Sequence, residues 1–189
     1  MAKLDGVSLT NQLSRRFRTS AAAETAFLIG LGILAVALHA YLRLPVNIPG
    51  HKGLIWIGLL MVGRLLSQRR WAATATSASA AATSLLPIMG FKDPLDTVVL
   101  LISGIVLDFG YNLSPRLVVS IWGVALLGAL AHAVKPIAKV LASAASGFPY
   151  SSLISGLAYP LALHALFGAV GAILAVISIR LLRRGNKHR

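Results

Sequence analysis

The chain alternates between long apolar runs and short polar connections. Six apolar runs follow one another, each long enough or nearly long enough to cross the ~30 Å hydrocarbon core of a bilayer as a helix. Their predicted bounds are 20–43, 54–66, 71–89, 94–111, 115–134 and 157–182. The second run is short, so we expect it either to use Arg64 as an interfacial anchor or to lie partly buried in protein. The pattern predicts an all-α integral membrane protein with six transmembrane helices.

Proline and glycine separate the predicted helices. Gly90, Pro94, Pro115 and Pro136 are expected to stop helices where the chain reverses direction. The organisation that follows is a basic segment over 1–19, a single membrane domain over 20–182 and a basic tail over 183–189.

Composition and charge support this interpretation. Hydrophobic residues make up 57% of the 189 residues and charged residues 12%, with a mean hydropathy of +0.79, whereas soluble domains carry about 25% charged residues. Of the 18 Lys and Arg residues, 13 fall on one predicted side and 5 on the other, which predicts that both termini are cytoplasmic and that the protein is a multi-pass protein of the cell membrane.

The net charge of +13 does not predict nucleic-acid binding, because the basic residues lie beside helix ends. Anionic lipid headgroups are the expected partners of the segments "RRFR" and "RLLRRGNKHR".

No enzyme motif is present in the sequence. There is no cysteine, no HExxH, no GxSxG and no phosphate-binding GxxxxGK[ST] loop. We therefore expect no catalysis, and any active transport would need an ATPase from another chain.

Four of the five histidines fall near the predicted outer ends of helices or in an outer loop: His39, His51, His132 and His164. They have no HxH or HxxxH spacing, so they form no metal motif. In one interpretation each imidazole is satisfied at the interface by a carbonyl or by water. In the other, His39, His132 and His164 line an outward-facing pocket, with Asp93 or Asp96, that binds a divalent metal or an anionic or heteroaromatic solute.

Two acidic residues lie in or near the apolar runs on the predicted inner side. Glu24 is expected at a helix N-terminus, which favours negative charge. Asp108 is expected to pair with Arg64 or Arg116, because an unpaired carboxylate in hydrocarbon costs several kcal/mol.

Small residues mark two of the predicted helices. All 13 residues of Ala72–Ser84 are Ala, Ser or Thr, which predicts close packing against protein. Ala22, Ala26 and Gly30 recur every four residues in the first helix, and this stripe predicts either internal packing or contact with another protein.

The segment "VNIPGHKG" separates the first two runs. Pro45 and Pro49 prevent a helix there, Gly50 lets the backbone lie close over a cavity, and His51 and Lys52 place polar donors at its rim. It is interpreted as a lid or as an interfacial turn whose lysine contacts phosphate headgroups.

Together, six helices in fewer than 200 residues, the "LPxxIPG" segment, the basic turn "SQRRW" before a small-residue helix, and the stripe on the first helix resemble the substrate-binding membrane component of energy-coupling factor transporters. The resemblance implies capture of a vitamin or related small solute on the outer side. It also implies association with a coupling membrane subunit and a pair of ATPases.

By this resemblance, Ala22 and Ala26 match the small-residue contact with the coupling subunit. The positions that match the solute-closing loops are Asn47, His51 and Lys52 in the first, Lys92 and Asp93 in the second, and Tyr150 in the third. The chain lacks the Met-His start of the nickel and cobalt members, and no motif names the solute.

Two other interpretations stay open. One is a membrane haem or metal protein in which His39 pairs with His132 or His164. The other is a structural or assembly protein whose small-residue helices only contact a partner.

Overall fold

The structure is a computed structural model that describes residues 20–42, 48–114, 120–147, 150 and 156–185. All the regular secondary structure within these residues is helical. The six α-helices are α1 (Ala21–Tyr41), α2 (Gly53–Leu66), α3 (Ala72–Ser84), α4 (Pro94–Leu113), α5 (Ile121–Ser146) and α6 (Ala158–Gly185), and a 3-10 turn spans Pro87–Met89. In the described part of the chain, four helices (α1, α4, α5 and α6) are long and apolar enough to cross a membrane, and α2 is a shorter apolar helix.

The helices pack side by side in a closed ring with the order α1, α3, α4, α5, α6 and α2. The short helix α2 is the central one, because it also contacts the helices across the ring. Its side chains Trp56, Ile57, Leu60 and Met61 are all at most 3% exposed. Of the two expectations for this helix, burial in protein is therefore the one confirmed.

The small residues of α3 allow close helix packing, as predicted. A Cβ atom added at Gly32 of α1 would overlap the backbone of α3, and one added at Gly104 of α4 would overlap Ser77 of α3. The backbones of α1 and α4 therefore approach α3 from both sides, as small residues allow in a membrane.

The bundle has two chemically different ends. At the arginine end, α1 begins and the α2–α3 turn carries Arg69 and Arg70. At the histidine end, α1 finishes at Tyr41, whose hydroxyl donates to the Ile88 carbonyl at 2.9 Å, and helices α2, α4 and α6 begin. Because the number of helices is even, α1 starts and α6 finishes at the same end.

A buried carboxylate organises the arginine end. Asp108 of α4 is 0% exposed and lies 3.2 Å from the Arg64 guanidinium of α2. Its oxygens also accept from the Ala73 and Thr74 amides at 3.2 and 2.6 Å. These amides belong to the first turn of α3, which has no capping side chain of its own, so Asp108 caps α3 from a neighbouring helix. The predicted pairing of Asp108 with Arg64 is confirmed.

Glu24 holds the other side of the same α2–α3 turn. Its carboxylate accepts from the Ser67 hydroxyl at 2.6 Å and from the Gln68 amide at 2.7 Å, and it lies 3.5 Å from the Arg69 guanidinium. Glu24 also lies in the first turn of α1, as predicted. Both acids of the arginine end therefore have structural partners.

The predicted stop at Pro136 is wrong. Helix α5 continues past this residue to Ser146 and finishes at Gly147, which has a left-handed backbone. Pro136 removes one backbone hydrogen bond, but it is fully buried between helices, and neighbouring helices commonly stabilise an interior proline in membrane proteins. The third predicted helix is also shorter than expected, since α3 finishes at Ser84 and the 3-10 turn follows.

Candidate functional site

A cavity of about 420 Å³ opens at the histidine end of the bundle. This volume is in the lower part of the ~300–1,000 Å³ range of small-molecule sites. The lining comes from helices α1, α2, α4, α5 and α6, from the segment that precedes α2 and from Phe91 in the connection before α4. Its polar side chains are His39, His51, Lys52, Asp96, His132, Lys135, Lys139 and His164. Four of the five histidines of the chain thus meet in one place, although 125 positions separate the first from the last.

The turn before α2 is held against two histidines. The Gly50 carbonyl lies 3.1 Å from His132 Nε2. Gly50 has φ +80°, and a Cβ atom there would lie 2.9 Å from the His164 backbone, so the turn requires a glycine at this position. Gly53 packs against the His132 ring, where a Cβ atom would overlap it. The absence of these two side chains lets the turn cover part of the cavity.

Backbone carbonyls determine which ring nitrogens carry the hydrogen. His51 Nδ1 lies 2.7 Å from the Ile48 carbonyl, and His164 Nδ1 lies 2.7 Å from the Pro160 carbonyl. A carbonyl can only accept, so these nitrogens donate, as does His132 Nε2. In the neutral rings the other nitrogen of each histidine is then an acceptor.

His39 differs from the other three histidines. Its ring stacks on Phe91 with the centroids 5.2 Å apart. Its Nδ1 is buried and has no hydrogen-bond partner among the described residues. A buried polar atom without a partner is rare in folded proteins, and it is expected where a ligand or water completes the site.

Three lysines and one carboxylate set the charge of the cavity. Lys135 pairs with Asp96 at 2.7 Å. Lys52 donates to the His39 carbonyl at 2.9 Å, and the Lys139 ammonium lies 5.1 Å from the Tyr150 ring centroid. Burial lowers the pKa of Lys52, and the positive charge of Lys135 lowers it further.

The predicted site residues fall into two groups. His39, His51, Lys52, His132 and His164 all line the cavity.

The remaining predicted site residues lie elsewhere. Lys92 is exposed beside the cavity and does not line it. Asp93 is the N-cap of α4 and accepts from the Leu95 amide at 3.0 Å. Tyr150 contacts the cavity only through Lys139, and Asn47 lies outside the described residues.

Sequence reasoning missed Lys135 and Lys139 as site residues. The fifth predicted helix ends at position 134, and a stop is expected at Pro136, so both lysines fall outside the predicted helix. His132, Lys135 and Lys139 have the spacing i, i+3 and i+7, which puts them on one face of a continuous helix. That spacing was the available signal.

The geometry of the histidines does not favour a metal or haem centre. In the described ranges, no group of three or more His, Cys, Asp or Glu is placed to hold a metal ion. The rings of His132 and His164 contact each other, with centroids 4.8 Å apart, so a porphyrin does not fit between these two rings. The pairing predicted for haem, of His39 with either of them, stays a prediction.

The small-residue stripe of α1 faces outward. Ala22, Ala26 and Gly30 are exposed, and a Cβ atom at Gly30 would meet nothing within 4 Å. The face of α1 that packs inside the bundle carries Leu28 and Gly32 instead. The stripe is therefore on the outer surface of the described part of this chain.

No protein-family model, curated protein or solved structure matches the chain. Its function is therefore inferred from the geometry of its own residues.

Proposed function

We propose that this chain is the solute-capture subunit of an uptake transporter in the cell membrane, of the energy-coupling factor type. In this proposal six helices lie in the bilayer with both termini cytoplasmic, and the histidine end faces outward. The solute enters the cavity there, and separate coupling and ATPase subunits provide the energy for uptake.

The cavity is the observation that carries the proposal. It brings together polar groups from four helices and from the turn before α2, at the end of the bundle that has fewer positive charges in the sequence. Eight lining side chains are polar, but most of the lining surface is apolar and includes Trp56, Phe91, Val99 and Leu100. A mostly apolar recess with a few convergent polar groups is the usual form of a small-molecule site.

The short central helix supports the same proposal. With 14 residues, α2 is about 21 Å long at 1.5 Å per residue, whereas the hydrocarbon core is about 30 Å thick. A central helix shorter than α1 and α6, its neighbours in the ring, leaves space above its first turn, and the cavity is lined there by Lys52 and Trp56. The recess is therefore a consequence of helix length.

The outward stripe on α1 supports the need for partners. Ala22, Ala26 and Gly30 make a smooth exposed surface that another helix could approach closely. We propose that the coupling subunit binds here. The chain has no nucleotide-binding loop of its own.

Native mass spectrometry of the gently purified protein tests solute capture. We expect a reproducible adduct that is not a lipid, and its loss in His132→Phe, because this variant removes the hydrogen bond that holds the Gly50 turn. Lys92→Met is the control, since Lys92 does not line the cavity. Preparations that carry only lipid, and that retain no component of a metabolite extract in equilibrium dialysis, would contradict the proposal. A haem or metal adduct would support the alternative class instead.

A further inference from the structure

The charge of the cavity identifies the class of solute. Among the described residues that line it, Lys52, Lys135 and Lys139 carry ammonium groups and Asp96 carries a carboxylate. Asp96 is already paired with Lys135 at 2.7 Å. Two positive charges are therefore left without a carboxylate among the lining residues.

These charges are only partly solvated. Lys52 is half-buried, and both its burial and the nearby Lys135 lower its pKa. Charges confined in a recess with apolar walls interact more strongly than in water. A bound anion would offset the repulsion between Lys52 and Lys135 and replace the water that Lys52 has lost.

The positive character comes from side chains and not from the first turn of α2. The amides of Gly53, Leu54 and Ile55 already donate to carbonyls, at 2.8, 3.2 and 3.2 Å. They are not available to a ligand, so binding depends on the lysines.

The remaining walls suit a planar apolar body. Phe91 stacks on His39, and Trp56, Val99 and Leu100 complete the apolar lining. The partnerless His39 Nδ1 provides one further polar contact.

Resting on the function proposed above, we propose that the captured solute is a small organic anion. Its carboxylate or phosphate lies between Lys52 and Lys139, and its ring-sized apolar body lies against Phe91 and Trp56. The same acidic chemistry occurs in lipid headgroups, so the test must separate a free solute from a lipid.

Ligands matched in shape but not in charge provide the test. Benzoate, benzamide and benzylammonium, and the same three forms of naphthalene, are added at 10 mM to the protein in neutral maltoside detergent. Thermal unfolding is then followed. For a millimolar Kd we expect the anions to raise Tm by about 3 °C, and the amides and ammonium ions to leave it unchanged.

Two substitutions should change anion binding in opposite directions. Lys139→Met removes a positive charge, and we expect about tenfold weaker binding of naphthoate, since a hydrogen bond to a charged group is lost. Asp96→Asn removes the carboxylate that competes for Lys135, and we expect several-fold tighter binding. Lys92→Met removes an equal charge beside the cavity and should leave the Kd unchanged.

The outcomes separate the solute class from the proposed function. Stabilisation by benzylammonium or benzamide with no response to naphthoate would overturn the anion proposal and leave solute capture intact. Weaker naphthoate binding in Asp96→Asn would also overturn it. Stabilisation by phosphatidylglycerol but by no soluble anion would show that the lysines of the cavity bind a lipid headgroup. The absence of stabilisation by any probe would also refute the anion proposal.

Discussion

The pair formed by Arg64 and Asp108 should be essential to the stability of the bundle. Both side chains are buried, at 6% and 0% exposure, and they lie 3.2 Å apart. Arg64→Met would leave the Asp108 carboxylate buried without its counter-charge. Breaking a buried ion pair from one side costs about 3–5 kcal/mol. The substitution also removes the hydrogen bond from Arg64 to the Arg69 carbonyl at 2.7 Å and the contact with the Tyr111 ring at 3.8 Å.

For a chain of this size, 1 kcal/mol corresponds to about 2–4 °C in Tm. We therefore expect Arg64→Met to lower Tm by about 6–20 °C. Asp108→Asn should cost a similar amount, because it removes the counter-charge of the buried Arg64 and weakens the cap of α3. The double variant contains no unpaired charge, so its loss should be smaller than the sum of the single losses by about 0.5–3 kcal/mol.

The assay is the fraction of protein that stays monodisperse in size-exclusion chromatography after heating in detergent. Arg70→Met is the matched control, since Arg70 is exposed at the same end and its nearest aromatic contact, Trp71, is 5.9 Å away. Exposed charges contribute at most about 1 kcal/mol. A loss in Arg64→Met no larger than in Arg70→Met, or strictly additive losses in the double variant, would refute this account of the pair.

Three further predictions test the topology, the stripe and the cavity. The natural chain has no cysteine, so single cysteines can be introduced at Lys92 and Gln68, which are both exposed and lie at opposite ends. In intact cells an impermeant thiol reagent should label the cysteine at position 92 and not the one at position 68. Equal labelling of the two would reject the six-crossing orientation. Ala26→Leu adds bulk to the exposed stripe, so co-purification of the proposed coupling subunit and cellular uptake should both fall. Solute binding by the isolated protein should stay unchanged. Intact uptake in a well-expressed variant would show that the stripe does not bind a partner. Gly53→Ala places a methyl group against the His132 ring that holds the turn before α2, so ligand binding should fall at least about tenfold. The control is Gly30→Ala, whose methyl group enters open space and which should bind the ligand normally. Equal affinities for these two glycine variants would show that the turn does not shape the cavity.

Hydropathy was sufficient to find the helices but not all of their boundaries. The six apolar runs correspond to α1–α6, because burial of backbone polar groups in an apolar solvent leaves few alternatives to a helix. The boundary at Pro136 was wrong because the local rule for proline ignores stabilisation by neighbouring helices. This error also removed Lys135 and Lys139 from the predicted site.

The candidate site was predicted in part. The predicted topology placed four histidines at one end of the bundle. It could not show that they share a cavity, since that depends on which helices are neighbours in the ring. The partnerless atom of His39 and the pairing of Lys135 with Asp96 depend on side-chain geometry, which the sequence does not contain. Lys92 and Asp93 lie in a connection beside the cavity. Their place in a predicted outer loop could not show whether their side chains line the cavity or lie next to it.

The position of Asp108 has a consequence for the biogenesis of the protein. Arg64 is synthesised 44 residues before the carboxylate that neutralises it, and the amides of α3 emerge 34–35 residues before their cap. The α2–α3 hairpin is short, contains a buried cation and has a first turn without a cap until α4 follows. In the membrane topology proposed above, we expect this hairpin to stay at the translocon or the bilayer surface until α4 leaves the ribosome, and to enter the lipid together with α4. Insertion of this protein would then proceed by groups of helices and not one helix at a time.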